Sequence, residues 1–324
     1  MSVVLDTLAC SRERISIEVV PPARGADPDR VLSCVDAVMP WDPAFVSVTN
    51  HPAGRVWVDD DGTPRSVPIR SKPGTLGLCV AIRSAADVAV VPHAVCIGND
   101  SYRAEDELID FRYAEFHDVF VVRGDVRFAP FSEAPRGGFS EALELVRLAS
   151  AMNRGEYSGG ATAGRPAGLS IGVAAYPEKH PAAANPDSDM AAFRAKVEAG
   201  AEWSLTQMLF DARVYSRFVE RARGVGLRIP IIPGIKPLCS LKSLSSVPGT
   251  FFVNVPQELA SELEDAPTPA EGRLVGLRHA ARLCRDLYDA GAPCIHFFTM
   301  GRARDTVDTL AAVFGLVTGK GTPL

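Results

Sequence analysis

The chain has little of several features that define other protein classes. Its 34 Lys and Arg do not outnumber its 39 Asp and Glu, and the formal net charge of -5 argues against an electrostatic nucleic-acid partner. Its seven cysteines form no CxxC pair, which indicates neither a disulfide framework nor a zinc cluster. No apolar run approaches the roughly 18 residues of a membrane span. We therefore expect a cytoplasmic protein with no nucleic-acid, membrane or metal partner.

The first ten residues, MSVVLDTLAC, end in a cysteine, as a lipoprotein leader would. They contain no basic segment, and Asp6 interrupts an apolar stretch that is already short. We expect no lipoprotein processing at Cys10.

Short apolar or β-branched runs alternate with longer amphipathic stretches along the 324 residues, a pattern that predicts parallel strands joined by helices. Strands are predicted at 15–20, 44–49, 94–97, 119–123, 169–175, 203–207, 229–233 and 294–298. Helices are predicted at 104–116, 139–153, 190–199, 212–223 and 272–290. Eight such strands predict an α/β protein with a (β/α)8 TIM barrel, here a single domain over 1–324.

Two segments interrupt this alternation. Residues 50–76 contain many Asp, Gly, Pro and Arg and are predicted to form an inserted loop or hairpin, and the apolar run 76–82 is interpreted as an additional strand. The glycine-rich segment 154–168 is predicted to be a flexible loop. It follows a helix and precedes a strand, which is the wrong order for a dinucleotide fingerprint.

A barrel carries its reactive groups at the carboxyl ends of its strands. Glu18 comes at the end of the first predicted strand, where burial would raise the pKa of an acid. Gln207 ends the sixth, and its amide can donate to and accept from a heterocycle. Lys236 follows the seventh.

The segment after the fifth strand carries further polar groups. We expect Asp187 or Ser188 to cap the helix that follows, and Gly200 to end it. Asp189, Phe193 and Lys196 share one face of that helix by their spacing. Glu178 and His180 resemble a metal pair but lack a third ligand.

Taken together, these residues resemble the methylenetetrahydrofolate reductase family. The shared segments are IEVVPP at 17–22, FVSVT at 45–49, PH at 92–93, RGD at 123–125, AAYPEKHP at 174–181, KVEAGA at 196–201, TQMLFD at 206–211, IIPGI at 231–235 and HFFT at 296–299. They occur in family order, each near a predicted strand end or helix start.

The resemblance implies a reaction. In this family a nicotinamide cofactor, NADH or NADPH, usually reduces bound FAD, and the flavin passes hydride to 5,10-methylenetetrahydrofolate to give 5-methyltetrahydrofolate. It implies that Glu18 is the general acid, that Asp125 lies near the flavin and pterin, and that Gln207 binds the pterin. It also implies a homo-oligomer, as bacterial relatives often form.

Flavin-binding residues also follow from the resemblance. They are Thr49, His93, Arg123, Gly124, Tyr176, His180, Asp189 and Lys196. Three departures stand out: Ala195 replaces a basic residue common before the lysine, Asn50 begins an altered loop, and Lys236 lies where relatives are often apolar.

Three alternatives remain open. The same reaction could run without flavin, by direct hydride transfer from the nicotinamide, as in some relatives. A lyase or aldolase could use Lys236 as a Schiff-base nucleophile. A catalytically silent barrel could serve as a binding scaffold.

Overall fold

A computed structural model describes residues 2–9, 13–51, 54–124, 138–159, 164–315, 317–318 and 322–323. Its strands are β1 (Ile15–Val19), β2 (Val46–Val48), β3 (Gly54–Asp60), β4 (Thr63–Ile69), β5 (Val90–Val95), β6 (Asp118–Val122), β7 (Ser170–Ala175), β8 (Trp203–Met208), β9 (Ile231–Ile235), β10 (Ile295–Phe298), β11 (Val317–Thr318) and β12 (Thr322–Pro323).

The helices alternate with these strands. They are α1 (Val3–Leu8), α2 (Asp29–Asp36), α3 (Thr75–Ala85), α4 (Ser101–Tyr113), α5 (Ala142–Asn153), α6 (Pro186–Glu198), α7 (Ala212–Gly224), α8 (Leu241–Phe251), α9 (Gln257–Glu264), α10 (Pro269–Asp289) and α11 (Arg304–Phe314). No helix in the described ranges combines the length and apolar character needed to cross a bilayer.

Eight strands close into a parallel barrel, in the spatial order β1-β10-β9-β8-β7-β6-β5-β2. The prediction of a (β/α)8 barrel is therefore confirmed. All eight predicted strands overlap a barrel strand. The prediction was displaced at the third, since β5 begins at Val90 rather than at residue 94.

The barrel interior is filled by inward-facing apolar side chains. They are Phe45, Val91, Phe120, Trp203, Leu205, Ile232 and Cys294, joined by Val4 and Leu8 of α1. α1 therefore closes the amino-terminal opening of the barrel. Asp118, at the start of β6, accepts a hydrogen bond from the Val3 backbone N–H at 2.9 Å and another from the Ser2 hydroxyl. The sequence did not predict this helix.

The apolar run 76–82 is not a strand. It lies in α3, whose buried residues Thr75, Leu78, Cys79 and Ile82 are spaced i, i+3, i+4 and i+7. This spacing places one face of a helix on the barrel, because a helix repeats every 3.6 residues. The prediction of an additional strand was wrong because the periodicity of so short an apolar run was misread.

The residues of the expected insert form the antiparallel hairpin β3–β4, which follows β2 on the carboxyl side of the barrel. The segment that follows β4 is hydrogen-bonded to the loop after β1. The Lys72 ammonium donates to the Pro21 carbonyl at 2.6 Å, and the Arg24 N–H donates to the Ser71 carbonyl at 3.2 Å. The hairpin is thus anchored beside the strand that carries Glu18.

The cap of α6 differs from the prediction of Asp187 or Ser188. The Asn185 side chain accepts from the N–H groups of both residues, at 3.1 and 2.8 Å, and Pro186 occupies the first helical turn. The cap therefore lies two residues earlier than Asp187. α6 ends at Glu198, and Gly200 has the positive φ of 120° typical of a residue just beyond a helix.

Part of the 154–168 segment is described. The Ser158 N–H donates to Oε2 of Glu105 on α4 at 2.7 Å, and the Tyr157 hydroxyl donates to the Arg165 carbonyl at 2.8 Å. The described part of this loop is therefore held against α4.

Candidate active site

Strand alternation brings the candidate residues to one open end of the barrel. On β8, Trp203 and Leu205 face the interior, and Gln207 follows one layer nearer the carboxyl end. On β2, alternation places Thr49 on the same face as the interior residue Phe45. A β-bulge between Leu205 and Met208 changes the direction of the end of β8. Glu18 and His93 are likewise inward residues near the ends of their strands.

Glu18 lies at the end of β1 with its side chain 12% exposed. Burial raises the pKa of its carboxyl from 4.5 to about 8. At neutral pH the carboxyl therefore keeps its proton, as a general acid requires. The Thr299 hydroxyl donates to the Glu18 carbonyl at 2.6 Å and fixes the backbone.

His93 is a titratable neighbour of Glu18. Its Nε2 lies 3.8 Å from Oε2 of Glu18, and its ring packs on Phe120 with centroids 4.9 Å apart. Burial lowers the pKa of His93 to about 3, helped by the neighbouring His296. Both partners are therefore neutral near pH 7, and this contact is not an ion pair.

A buried histidine with no role predicted from the sequence lies below this pair. His296 is fully buried; its Nδ1 is 2.8 Å from the Ser16 hydroxyl and its Nε2 3.4 Å from that of Ser47. Its ring stacks on Phe45, with centroids 5.7 Å apart. Burial lowers the pKa of His296 to about 3, so it too is neutral. Only the inward phase of β10 could have indicated this placement.

Gln207 lines a small cavity together with Tyr176 and Phe252. Its amide oxygen accepts the Met208 N–H at 2.9 Å. That hydrogen bond fixes the amide orientation, which leaves the NH2 group as the donor side. Phe252 is 57% exposed and has a positive φ of 56°, an uncommon conformation for a bulky residue.

Three predicted flavin ligands have buried polar atoms that lack a partner within the described residues. They are Oγ1 of Thr49, Nε2 of His93 and Nε of Arg123. A buried polar atom without a hydrogen bond costs about 1 to 3 kcal/mol, so such groups indicate a ligand. Thr49 and Arg123 directly follow β2 and β6, and His93 lies in β5; these three strands are neighbours in the barrel.

The loop after β7 fixes His180. Oδ2 of Asp189 accepts the His180 backbone N–H at 3.0 Å, and Nδ1 of His180 accepts the Ala182 N–H at 3.1 Å. Because Nδ1 is an acceptor, the proton of the neutral ring lies on Nε2, which becomes a donor. The ring meets Tyr176 edge to face at 4.6 Å.

Lys196 is a half-buried cation on the face of α6 predicted from the sequence. Its Nζ donates to the Ala174 carbonyl at 2.5 Å, which leaves two further donors. Burial lowers the pKa of this ammonium to about 8, against the opposing charges of Asp189 and Glu141. Lys196 therefore stays mostly charged at pH 7.

Arg123 acts on the residues around His180. Its Nη1 lies 3.9 Å from Oε1 of Glu141, and its charge acts on both Tyr176 and His180. Gly124 follows with φ 95°, a conformation that disfavours side chains. Asp125 lies outside the described residues, so its role stays a prediction.

One further acid, which is half-buried, was not singled out from the sequence. Glu107 on α4 accepts from the Asn50 amide at 2.6 Å, and burial raises its pKa to about 7, with Arg70 opposing the shift. This contact ties the altered loop after Thr49 to α4. Its sequence signal is weak, because Glu107 lies in an ordinary amphipathic helix.

Glu178 and His180, the suggested metal pair, instead make hydrogen bonds within the protein. Glu178 accepts two hydrogen bonds from Asn254, from the backbone N–H at 2.9 Å and from Nδ2 at 3.0 Å. His180 is held by Asp189 and Ala182, as described above. Within the described ranges no group of three or more His, Cys, Asp or Glu could hold a metal ion.

These groups define a class of protein: a (β/α)8 barrel that holds a protonated acid on one side of its mouth and a cationic, donor-rich site on the other. The methylenetetrahydrofolate reductase family model matches residues 4–313. The chain belongs to the methylenetetrahydrofolate reductase family.

Named relatives agree with the family match. A 5,10-methylenetetrahydrofolate reductase of Salmonella typhimurium is 28% identical over 89% of this chain and 86% of its own length. A probable methylenetetrahydrofolate reductase (NADH) of Oryza sativa is 25% identical over 95% of this chain. The chain spans about half the length of that plant relative.

A solved structure supports the fold alone. A protein from Clostridium thermocellum, described as binding two copies of 5-methyl-5,6,7,8-tetrahydrofolic acid, is 12% identical and has a TM-score of 0.59. The match covers 96% of this chain and 98% of that protein.

Proposed function

We propose that this chain reduces 5,10-methylenetetrahydrofolate to 5-methyltetrahydrofolate with NADH or NADPH. The observation that carries the proposal is a carboxyl, Glu18, that stays protonated at neutral pH at the mouth of a barrel of this family. Opening the five-membered ring of this folate needs a proton on the departing nitrogen. A buried acid with a pKa near the working pH supplies that proton efficiently.

Glu18 and Gln207 occupy different sectors of the mouth. β10 and β9 lie between β1, which carries Glu18, and β8, which carries Gln207. A pterin held between these residues would receive hydrogen bonds from the Gln207 amide and a proton from Glu18. Asp125 is proposed to stabilise the cationic folate intermediate by its negative charge.

We propose FAD as the resident cofactor. The fit rests on the partnerless buried atoms of Thr49, His93 and Arg123, and on the Lys196 ammonium with its two remaining donors. Bound FAD would accept hydride from the nicotinamide and deliver it to the folate. Lys196 and the Nε2–H of His180 would bind the diphosphate, and Asp189 would keep the His180 backbone in place.

The flavin-free alternative rests on Ala195 and the altered loop after Thr49. Arg194, the basic residue immediately before Ala195, pairs instead with Glu198 at 2.6 Å on the outer side of α6 and does not replace the missing cation. The half-buried cation and partnerless atoms favour a bound cofactor. Family membership favours the reductase over a Lys236 lyase or a silent scaffold.

The test is the visible absorption spectrum of the freshly purified protein, followed by release of any chromophore. Flavin bands with released FAD, and nicotinamide oxidation that depends on methylenetetrahydrofolate, are the expected result. A colourless protein with the same activity would establish direct hydride transfer. Absence of folate-dependent turnover in protein loaded with FAD would overturn the proposed reaction.

We further propose a cytoplasmic location, since all six cysteines in the described ranges are unpaired and buried. The homo-oligomer stays a prediction, which sedimentation would test. Comparison of the KM values for NADH and NADPH would identify the preferred donor.

A further inference from the structure

Lys236 is the inward-facing residue at the end of β9. Ile232 belongs to the interior cluster, and Gly234 lies against the Phe298 ring, so alternation places Lys236 on the same face, one step nearer the mouth. β9 lies beside β8, which carries Gln207, and β10 separates it from β1, which carries Glu18. Lys236 is therefore in the sector between the two proposed substrate residues.

The Lys236 ammonium has no anionic partner in contact with it within the described residues. Within the described residues its ammonium makes no hydrogen bond and no ion pair within 4 Å. Burial lowers the pKa of Lys236, and the positive charge of Arg302 lowers it further. Asp305 opposes this shift, but its Oδ1 is held by Arg273 Nε at 2.9 Å.

A half-buried ammonium is costly unless an anion compensates it. Two cations, Lys236 and Arg302, act on each other here, while Asp305, the carboxylate that acts on Lys236, is also paired with Arg273. The balance favours an anionic oxygen supplied from outside the chain. Both proposed substrates carry such groups, the folate as glutamate carboxylates and the nicotinamide nucleotide as phosphates.

We propose that Lys236 binds an anionic group of a substrate at the β9 sector of the mouth and so determines substrate specificity. The assignment rests on the proposed function. It goes beyond that function in naming which part of the substrate is recognised and by which residue. β9 lies between the strands that carry the two proposed folate residues, which makes the carboxylate of the glutamate tail the first candidate.

The test compares Lys236→Met with Lys236→Arg and with Lys242→Met. Lys242 is an exposed lysine of α8, so its replacement removes the same charge near the mouth. KM and kcat are measured with methylenetetrahydrofolate, its triglutamate, and methylenetetrahydropteroate, which has no glutamate, with NADH and NADPH as donors. Circular dichroism checks that each variant is folded.

For a glutamate carboxylate, Lys236→Met raises KM for the folate about tenfold, mainly without a change in kcat, and leaves KM for the pteroate alone. If Lys236 binds a phosphate, Lys236→Met raises KM for the nicotinamide nucleotide instead. If that phosphate is the 2′-phosphate, KM rises for NADPH but not for NADH. Lys236→Arg restores most of the affinity, Lys242→Met has no effect, and added salt weakens wild-type binding more than that of Lys236→Met.

Unchanged KM values for every substrate in a folded Lys236→Met variant overturn the assignment of Lys236 and leave the proposed function intact. An equal rise in Lys242→Met also overturns it, because a general field effect would then suffice. Wild-type protein that does not turn over the folate overturns both.

Discussion

Nε2 of His93 lies 3.8 Å from Oε2 of Glu18, and near pH 7 neither group carries a charge. Burial moves the pKa of each towards its neutral form, to about 3 for His93 and to about 8 for Glu18. A charged histidine here would instead stabilise the carboxylate and remove the acid. The neutrality of His93 therefore preserves the proton on Glu18.

Replacement of Glu18 by Gln should separate the two half-reactions. The amide keeps the size of the side chain but cannot donate a proton to the folate nitrogen. We expect Glu18→Gln to retain reduction of bound flavin by the nicotinamide and to lose folate reduction. Stopped-flow absorbance measures both, and survival of both would exclude Glu18 as the acid.

In the wild type, the folate half-reaction should fall as pH rises through about 8, because the acid form of Glu18 is then lost. A rate that rises with pH through this range would contradict the assignment. The flavin half-reaction should not show this titration, and it serves as the internal control.

The same carboxyl should make stability depend on pH. Its folded pKa, about 8, lies above its ordinary value of 4.5, so the stabilisation is fully present below 4.5 and is lost as pH rises towards 8. Between pH 4.5 and 8 the titration of Glu18 lowers the free energy of unfolding by up to about 1.4 kcal/mol per pH unit.

Urea unfolding at pH 5 and pH 8 tests this slope. Glu18→Gln should gain stability relative to the wild type as pH rises. Glu198→Gln, at an exposed carboxylate of α6, is the control and should show no such trend. An equal pH dependence in the wild type and Glu18→Gln would show that Glu18 titrates normally.

The barrel was predictable because its strands are short apolar runs bounded by polar turns. β1, β7, β8 and β10 carry the pattern clearly, and it also placed Glu18 and Gln207 near the carboxyl ends of their strands. The helices α1, α2, α8, α9 and α11 were not predicted. Tertiary packing stabilises such short helices more than local propensity does, as Val4 and Leu8 of α1 illustrate.

The site was predictable in its residue types but not in its charge states. Spacing placed Asp189 and Lys196 on one face of α6. It could not indicate that Asp189 holds the His180 backbone, nor that the Ala182 N–H selects the tautomer of His180. These contacts depend on how the loop after β7 folds back, and no local pattern encodes that fold.

Removal of the Lys196 ammonium should weaken flavin binding. The Lys196→Met variant keeps the buried stem and loses a charged donor, which is worth about 2 kcal/mol or about thirtyfold in Kd. FAD titration into the apoprotein measures this. Arg194→Gln, on the exposed side of the same helix, is the control. An unchanged Kd in Lys196→Met would exclude a contact between Lys196 and the diphosphate.

Replacement of Gln207 by Leu should weaken folate binding. A pterin donor or acceptor would then be buried without a partner, at a cost of about 1 to 3 kcal/mol. Gln257→Leu, at an exposed glutamine bonded to Ser261 at 3.1 Å, is the matched control. The measurement is the Kd of 5-methyltetrahydrofolate, and equal values in the two variants would place the pterin elsewhere.

Gly234 should tolerate no side chain, because the Phe298 ring lies against it. A Cβ at Gly234 would overlap that ring and come within 2.6 Å of the Thr206 carbonyl oxygen, which is backbone and cannot yield. Thr206 is itself fixed, since its hydroxyl accepts the Gly234 N–H at 2.9 Å. We expect Gly234→Ala to lower the free energy of unfolding by about 1 to 3 kcal/mol.

The matched control for this substitution is Gly249→Ala in α8, where a Cβ would meet nothing within 4 Å. Alanine there should stabilise the helix by about 0.5 to 1 kcal/mol, because glycine loses more backbone entropy on folding. The two substitutions add the same methyl group, so opposite signs in urea unfolding isolate the steric contact at Phe298. If Gly234→Ala were as stable as the wild type, the ring would have to move away from β9, and the mouth beside Lys236 would be wider than the structure indicates.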